Sequence, residues 1–247
     1  MHRVEFVMGT AISVEIAGAV APKLATAMTE QAFAWFRSVD SRFSTYKDDS
    51  EVSRFARGEL AADVSSPGFR EVLCECSRLW DETQGYFDVY AGGSYDPSGY
   101  VKGWSVQVAS DRLLAAGIVD HCINAGGDVR VHGRTDSGEL WRVGIRHPWE
   151  STKLAWVLES TNLAVATSGT YERGLHVINP RTGKPADQLC SVTVSGPDLG
   201  VADAYATAAM AMGEAGLQWL ASLAGYQSSA VTVDGRAYVS DGWRSVA

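Results

Sequence analysis

Residues 101–133, VKGWSVQVASDRLLAAGIVDHCINAGGDVRVHG, hold the change of pattern that decides the fold class. Val101–Ala116 reads as a helix ended by Gly117, because glycine is the common residue just past a helix C-terminus. Beyond it, Val119–Asn124 and Val129–Gly133 are short runs of strand character on either side of Gly126-Gly127. The strand-like runs then continue as Trp141–Ile145, Leu154–Leu158, Leu163–Ser168, Leu175–Asn179 and Ser191–Val194. Asp203–Met212 and Leu217–Ala224 read as helices. Ala230–Val233 and Ala237–Val239 form a last hairpin around Asp234-Gly235. Toward the N-terminus the order is reversed. Phe69–Thr83 is a helix after a Pro67-Gly68 start signal, and Ala21–Val39 is an amphipathic helix. Val4–Ile16 holds two strand-like pieces around Gly9, and Ser41–Ser50 and Gly85–Gly99 are loops. Helices and short strands cluster separately, so the class is α+β, with mixed or antiparallel sheets, rather than a regular βαβ alternation. No linker interrupts the chain, which is expected to form one domain over residues 1–247.

Composition narrows the function. The chain has 247 residues, 46% hydrophobic, enough for a substantial core. Its 29 acidic and 21 basic residues give a formal net charge of −8, and no run of Lys or Arg exceeds two. A nucleic-acid surface needs a basic stripe, so that class is excluded, whereas one cationic pocket for a small anion is not. No segment has the length and apolarity of a membrane span. The opening MHRVEFVMGTAISVEIAG alternates polar and apolar residues too early for a signal peptide, so the chain reads as cytoplasmic or as the mature domain of a longer precursor. Cys74, Cys76, Cys122 and Cys190 have no zinc-like spacing and read as free thiols.

Five segments could carry chemistry. Asp96-Pro97-Ser98-Gly99-Tyr100-Val101-Lys102-Gly103 leads a turn into a helix and adds a lysine, which suits a diphosphate; the plain reading is a helix cap and a solvated lysine. Asn124-Ala125-Gly126-Gly127-Asp128 is a hairpin turn, or a set of backbone donors beside a ligand. Ala164–Tyr171 is a buried strand opening into Thr167, Ser168, Gly169 and Thr170, as a strand end does when it delivers polar groups to a cleft. His176 alternates with Ile178 before Pro180-Arg181-Thr182-Gly183; it is either a hydrogen-bonded core residue or a general base. Asp203 and Thr207 are four apart and share one helix face, so they offer two hard oxygen ligands for Mg²⁺, or else a helix-dipole carboxylate and a packed threonine.

The order of these elements carries a resemblance. Met8-Gly9-Thr10, Phe43–Tyr46, Ser50–Arg54, Gly85-Tyr86-Phe87-Asp88, Asp96…Lys102-Gly103, Asn124–Asp128, Ala166–Gly169, His176…Pro180…Thr182-Gly183 and Asp203…Thr207 together resemble the ApbE family of FAD:protein FMN transferases, over roughly residues 4 to 214. The resemblance implies a bilobal, T-fold-like α+β architecture with FAD and Mg²⁺ (Mn²⁺ the alternative metal) in a cleft between the lobes. It implies Met8, Tyr46, Phe87, Asp88, Asp96, Lys102 and Thr170 as flavin nucleotide contacts. The Gly99 carbonyl, Asp203 and Thr207 become metal ligands, and His176 the base toward the hydroxyl of an acceptor flavoprotein. Phe55-Ala56 stands where many members have an asparagine near the flavin, and Gln107 where many have aspartate. The expected reaction is Mg²⁺-dependent transfer of FMN from FAD to a protein threonine or serine, releasing AMP. Two rivals would use the same residues: an FAD pyrophosphatase, with water as nucleophile, and an FAD-binding carrier without chemistry.

Overall fold

The computed structural model describes residues 1–246, apart from the side chains of Glu172 and Arg173. The chain opens with a hairpin, β1 (His2–Val7) and β2 (Thr10–Ile16). Its two-residue turn, Met8-Gly9, has positive φ at both positions (57° and 71°), the geometry whose twist matches a hairpin. Helix α1 (Pro22–Phe43) follows, starting with proline in its first turn and running a full turn past the predicted end at Val39. Ser50 caps a short helix, α2 (Glu51–Ala56), which the sequence reading did not contain; Ser66 caps α3 (Pro67–Glu82). Helix α4 (Ser98–Ala115) precedes β3 (His121–Ala125) and β4 (Asp128–His132). A separate hairpin, β5 (Trp141–Arg146) and β6 (Leu154–Ser160), leads to β7 (Asn162–Gly169) and a short turn of helix, α5 (Thr170–Arg173). The two-residue strands β8 (Ile178–Asn179) and β9 (Lys184–Pro185) then pair. The chain ends with β10 (Leu189–Gly196), α6 (Leu199–Met212), α7 (Ala215–Ala221), β11 (Gln227–Thr232) and β12 (Ala237–Val239).

Eight strands form one antiparallel sheet in the order β1-β2-β3-β4-β7-β10-β11-β12. The α+β class and antiparallel sheet are therefore as the sequence predicts, and the N-terminal hairpin joins the sheet of the strand-rich half. Alternation along the strands assigns the two faces. Ile12, Val14, Ile123, Ala164, Ala166, Val192 and Val194 belong to the core shared with the helices. Val129, Val131 and Val165 point the other way, into a second cluster with Trp141, Val143, Ile145 and Leu158 from the β5–β6 hairpin. By the same parity Asp128 and Ser168 lie on the helix face, where α4 and α6 cross. That crossing is close because it uses glycine. A Cβ on Gly103 would collide with the Leu199 carbonyl, and one on Gly200 would come within 2.8 Å of the Tyr100 ring.

Candidate functional site

The α4–α6 crossing delivers charge to one place. Lys102, on α4, has its Nζ 2.6 Å from Asp128 Oδ2, at the first residue of β4. The Lys102 side chain is 25% exposed and that of Asp128 1%. The contact is a buried ion pair. The other Asp128 oxygen, Oδ1, accepts the Thr167 N–H at 3.3 Å. Asp203, buried on α6, accepts the Gly103 N–H at 3.1 Å and lies within hydrogen-bonding reach of Asp128. In an ideal helix that N–H serves the Gly99 carbonyl, so the contact ties Gly99 and Asp203 together. One turn along α6, Thr207 Oγ1 is 3.4 Å from Ser168 Oγ at the end of β7. A Cβ on Gly99 would sit 3.0 Å from Thr207 Oγ1 and 3.4 Å from the Phe87 ring.

Burial, and next the Asp128 carboxylate, push the Asp203 carboxyl well above the ordinary carboxylate range; Lys102 and the Gly103 N–H act in the opposite sense. Two buried carboxylates faced by one lysine leave negative charge uncompensated. The set fits a divalent cation, with hydroxyl and backbone oxygens close by. Among the described residues no group of three or more His, Cys, Asp or Glu is placed to hold a metal.

Several expectations change in detail. Helix α6 starts at Leu199, a turn before the predicted Asp203, and Asp198 caps it by accepting the Val201 N–H. Asp203 is thus well inside the helix rather than a dipole-compensating residue at its start. Asp96 forms an Asx turn just ahead of α4, its Oδ1 accepting the Ser98 N–H at 2.9 Å, and the N-cap residue is Pro97. Asp96 also lines a pocket of about 270 Å³ with Ser53, Ala56 and Tyr95. Phe87 is buried beside Gly99, and Asp88 Oδ1 accepts the Tyr90 N–H. Met8 packs on the core, its Sδ 3.7 Å from the Ser105 hydroxyl. Tyr46 is 96% exposed, and the Thr170 hydroxyl is directed at Cys190, at 3.4 Å from its carbonyl. The sequence reading placed Asp128 in its turn motif, and as a fallback base beside Asp88; the structure pairs it with Lys102. A cleft of about 430 Å³ opens on the opposite face of the sheet, between Thr10, Gly126, Gly127 and Thr167 and the β5 residues Val143–Arg146.

His176 does not fit the reading of it as a core residue. The predicted strand from Leu175 shrinks to Ile178–Asn179, since two alternating residues are too few to fix a strand. His176 is neither core nor strand: it is exposed in the loop after α5. Its Nδ1 lies 3.0 Å from the Gly174 carbonyl. A carbonyl only accepts, so Nδ1 carries a proton, and in the neutral ring Nε2 is then the acceptor.

The fold is an antiparallel α+β sheet that carries a cluster of two acids and a lysine where helices α4 and α6 cross. The comparisons are specific. The ApbE family model matches residues 8–95 and 92–229, and the chain belongs to the ApbE family. It is 36% identical over 235 residues to the FAD:protein FMN transferase of Vibrio cholerae, covering 71% of this chain and 70% of that protein. It is 41% identical over 128 residues to the enzyme of the same name from Rhodobacter capsulatus, covering 48% of this chain and 24% of that one. The solved structure of the flavin transferase ApbE from Vibrio cholerae superposes with a TM-score of 0.84 at 25% identity, over 98% of this chain and 97% of that one. An ApbE protein from Thermotoga maritima, at 20% identity, gives 0.83 over 98% and 97% of the two chains.

Among the described residues no helix is long and apolar enough to cross a membrane.

Proposed function

We propose that this chain is an FAD:protein FMN transferase that moves FMN from FAD to a serine or threonine hydroxyl of an acceptor flavoprotein and releases AMP. The names of the relatives support the flavin transferase activity. The observation that carries the site is the buried meeting of Lys102, Asp128 and Asp203 beside Gly99, Thr207 and Ser168. Asp203, Thr207 and the Gly99 carbonyl would hold Mg²⁺ or Mn²⁺, with Asp128 adjacent. When bound there, the metal would neutralise charge on the FAD diphosphate.

This chain's own groups do the rest. Lys102 binds diphosphate oxygens as a point charge, and Asp128 keeps its ammonium aimed at the site. Two pockets, one lined by Asp96 and one by Gly127 and Thr167, are the candidates for the two ends of the dinucleotide. Met8, Tyr46, Phe87, Asp88 and Thr170 complete its surroundings. The acceptor hydroxyl oxygen forms a bond to the FMN-side phosphorus as the bond from that phosphorus to the bridging oxygen breaks. AMP leaves with the electron pair, and the hydroxyl proton goes to Nε2 of His176. Positioning and charge stabilisation dominate such a transfer, with little covalent work for the enzyme.

The test is incubation with FAD, Mg²⁺ and a threonine-containing acceptor domain, followed by mass spectrometry. The expected result is one FMN added to the acceptor for each AMP released. Free FMN and AMP without an adduct would make the enzyme a pyrophosphatase. Intact FAD after long incubation would make it a carrier.

A further inference from the structure

The loop that carries His176 is built around a backbone conformation that only glycine adopts readily. Gly174, which ends α5, has φ 66° and ψ −156°. This lies in the region closed to residues with a Cβ. The conformation turns the Gly174 carbonyl toward His176, where it accepts two bonds: the backbone N–H at 2.9 Å and Nδ1 at 3.0 Å. No heavy atom beyond its chain neighbours lies within 4 Å of a Cβ built at Gly174, so packing does not demand glycine there. The conformation does.

The chain after His176 is fixed as well. Val177 is buried in the main core, and its carbonyl accepts the Ala186 N–H at 2.8 Å. Arg181, in the β8–β9 turn, donates to the Gln84 carbonyl at 2.6 Å and lies 5.4 Å over the Tyr86 ring. His176 is therefore an exposed side chain on a segment pinned downstream, with its ring held upstream by one carbonyl.

We propose that the Gly174 carbonyl is a positioning group for the transfer: it fixes the neutral His176 ring as the Nδ1–H tautomer, so that Nε2 faces the incoming hydroxyl with its lone pair free. This rests on His176 being the base. An imidazole without such a bond is free to carry its proton on either nitrogen, and only one of the two forms leaves Nε2 able to accept. The role resembles that of the partners that orient a catalytic or metal-binding histidine through its other nitrogen.

The experiment uses the full chain with ¹⁵N-labelled histidine, at alkaline pH where the rings are neutral. His176→Gln assigns the resonances. The native protein should show His176 as the Nδ1–H form. Gly174→Ala should shift it toward the Nε2–H form and lower the transfer rate by about 10- to 100-fold, the usual cost of losing such an orienting partner. The KM for FAD should stay unchanged. Gly183→Ala is the control, because Gly183 also has positive φ (67°) with open space around it but makes no bond to the ring; it should leave the tautomer as it is. An Nε2–H form in the native protein, or an Nδ1–H form surviving in Gly174→Ala, overturns the proposal. A tautomer switch with an unchanged transfer rate instead overturns the base assignment on which it rests. If Gly174→Ala proves unstable, the native spectrum alone still decides.

Discussion

The two regions proposed to meet the substrate are built in opposite ways. The Lys102–Asp128–Asp203 cluster is buried, drawn from α4, β4 and α6, and held by a helix crossing tight enough to require glycine at Gly103. The His176 segment is exposed, and its ring is held by a single backbone carbonyl. The difference follows from what each must do. Charges that bind a diphosphate work best preorganised and away from water. A group that takes a proton from another protein's side chain has to stand where that protein can reach it. A buried base would exclude the acceptor, and an exposed acid pair would lose its grip on a cation to solvent.

A large effect is expected at the buried end. If Asp203 is the negative metal ligand proposed above, Asp203→Asn should lower turnover in Mg²⁺ by on the order of 10²–10³. The same change removes a buried carboxylate whose ionisation burial and Asp128 oppose, so the melting temperature of the metal-free protein should hold or rise. A lower melting temperature with intact turnover would make Asp203 a structural residue and erase the contrast.

Acid should damage the buried side before the exposed one. His121, on β3 under α4, is fully buried; Nδ1 donates to the Ile118 carbonyl and Nε2 accepts from the Ser110 hydroxyl. Burial pushes its pKa down to about 4 from the ordinary 6.5. The unfolded chain therefore binds the proton first. Stability is full above about pH 6.5 and falls as pH drops toward 4, by a total on the order of 3 kcal/mol from this one group. Denaturant midpoints measured between pH 7 and pH 4.5 check this, and His121→Gln should flatten the slope.

Lys102→Ala should have a smaller, more selective effect. Losing one charge-assisted contact costs about 1.5–3 kcal/mol. FAD binding should weaken by roughly 10- to 100-fold and riboflavin binding hardly at all. Equal weakening of both would place the lysine away from the phosphates.

How much of this could be read from the sequence depends on which period fixed each residue. Asp203 and Thr207 were legible because a helix puts residues four apart on one face, whatever the tertiary structure does. The Met8-Gly9 and Gly126-Gly127 turns were legible because hairpins demand positive φ. The partnership of Lys102 with Asp128 was not, since it joins α4 to β4 through a crossing that no local pattern encodes. Neither was the start of α6: Asp198 caps it, but the run Leu199–Ala202 has no polar face to announce a helix. His176 was misplaced in a strand because Val177 is buried and Ile178 half-buried, an alternation too short to separate a strand from an anchored loop.

The division of labour is tested most directly by His176→Ala, with bound FAD and transfer rate measured on the same preparation. The account predicts FAD affinity in Mg²⁺ within about twofold of the native protein, and a transfer rate per bound FAD lower by on the order of 10²–10⁴, the usual contribution of a positioned general base. A variant that loses FAD affinity and melting temperature while keeping its rate per bound FAD would contradict it, and the base would then have to be sought in the buried cluster.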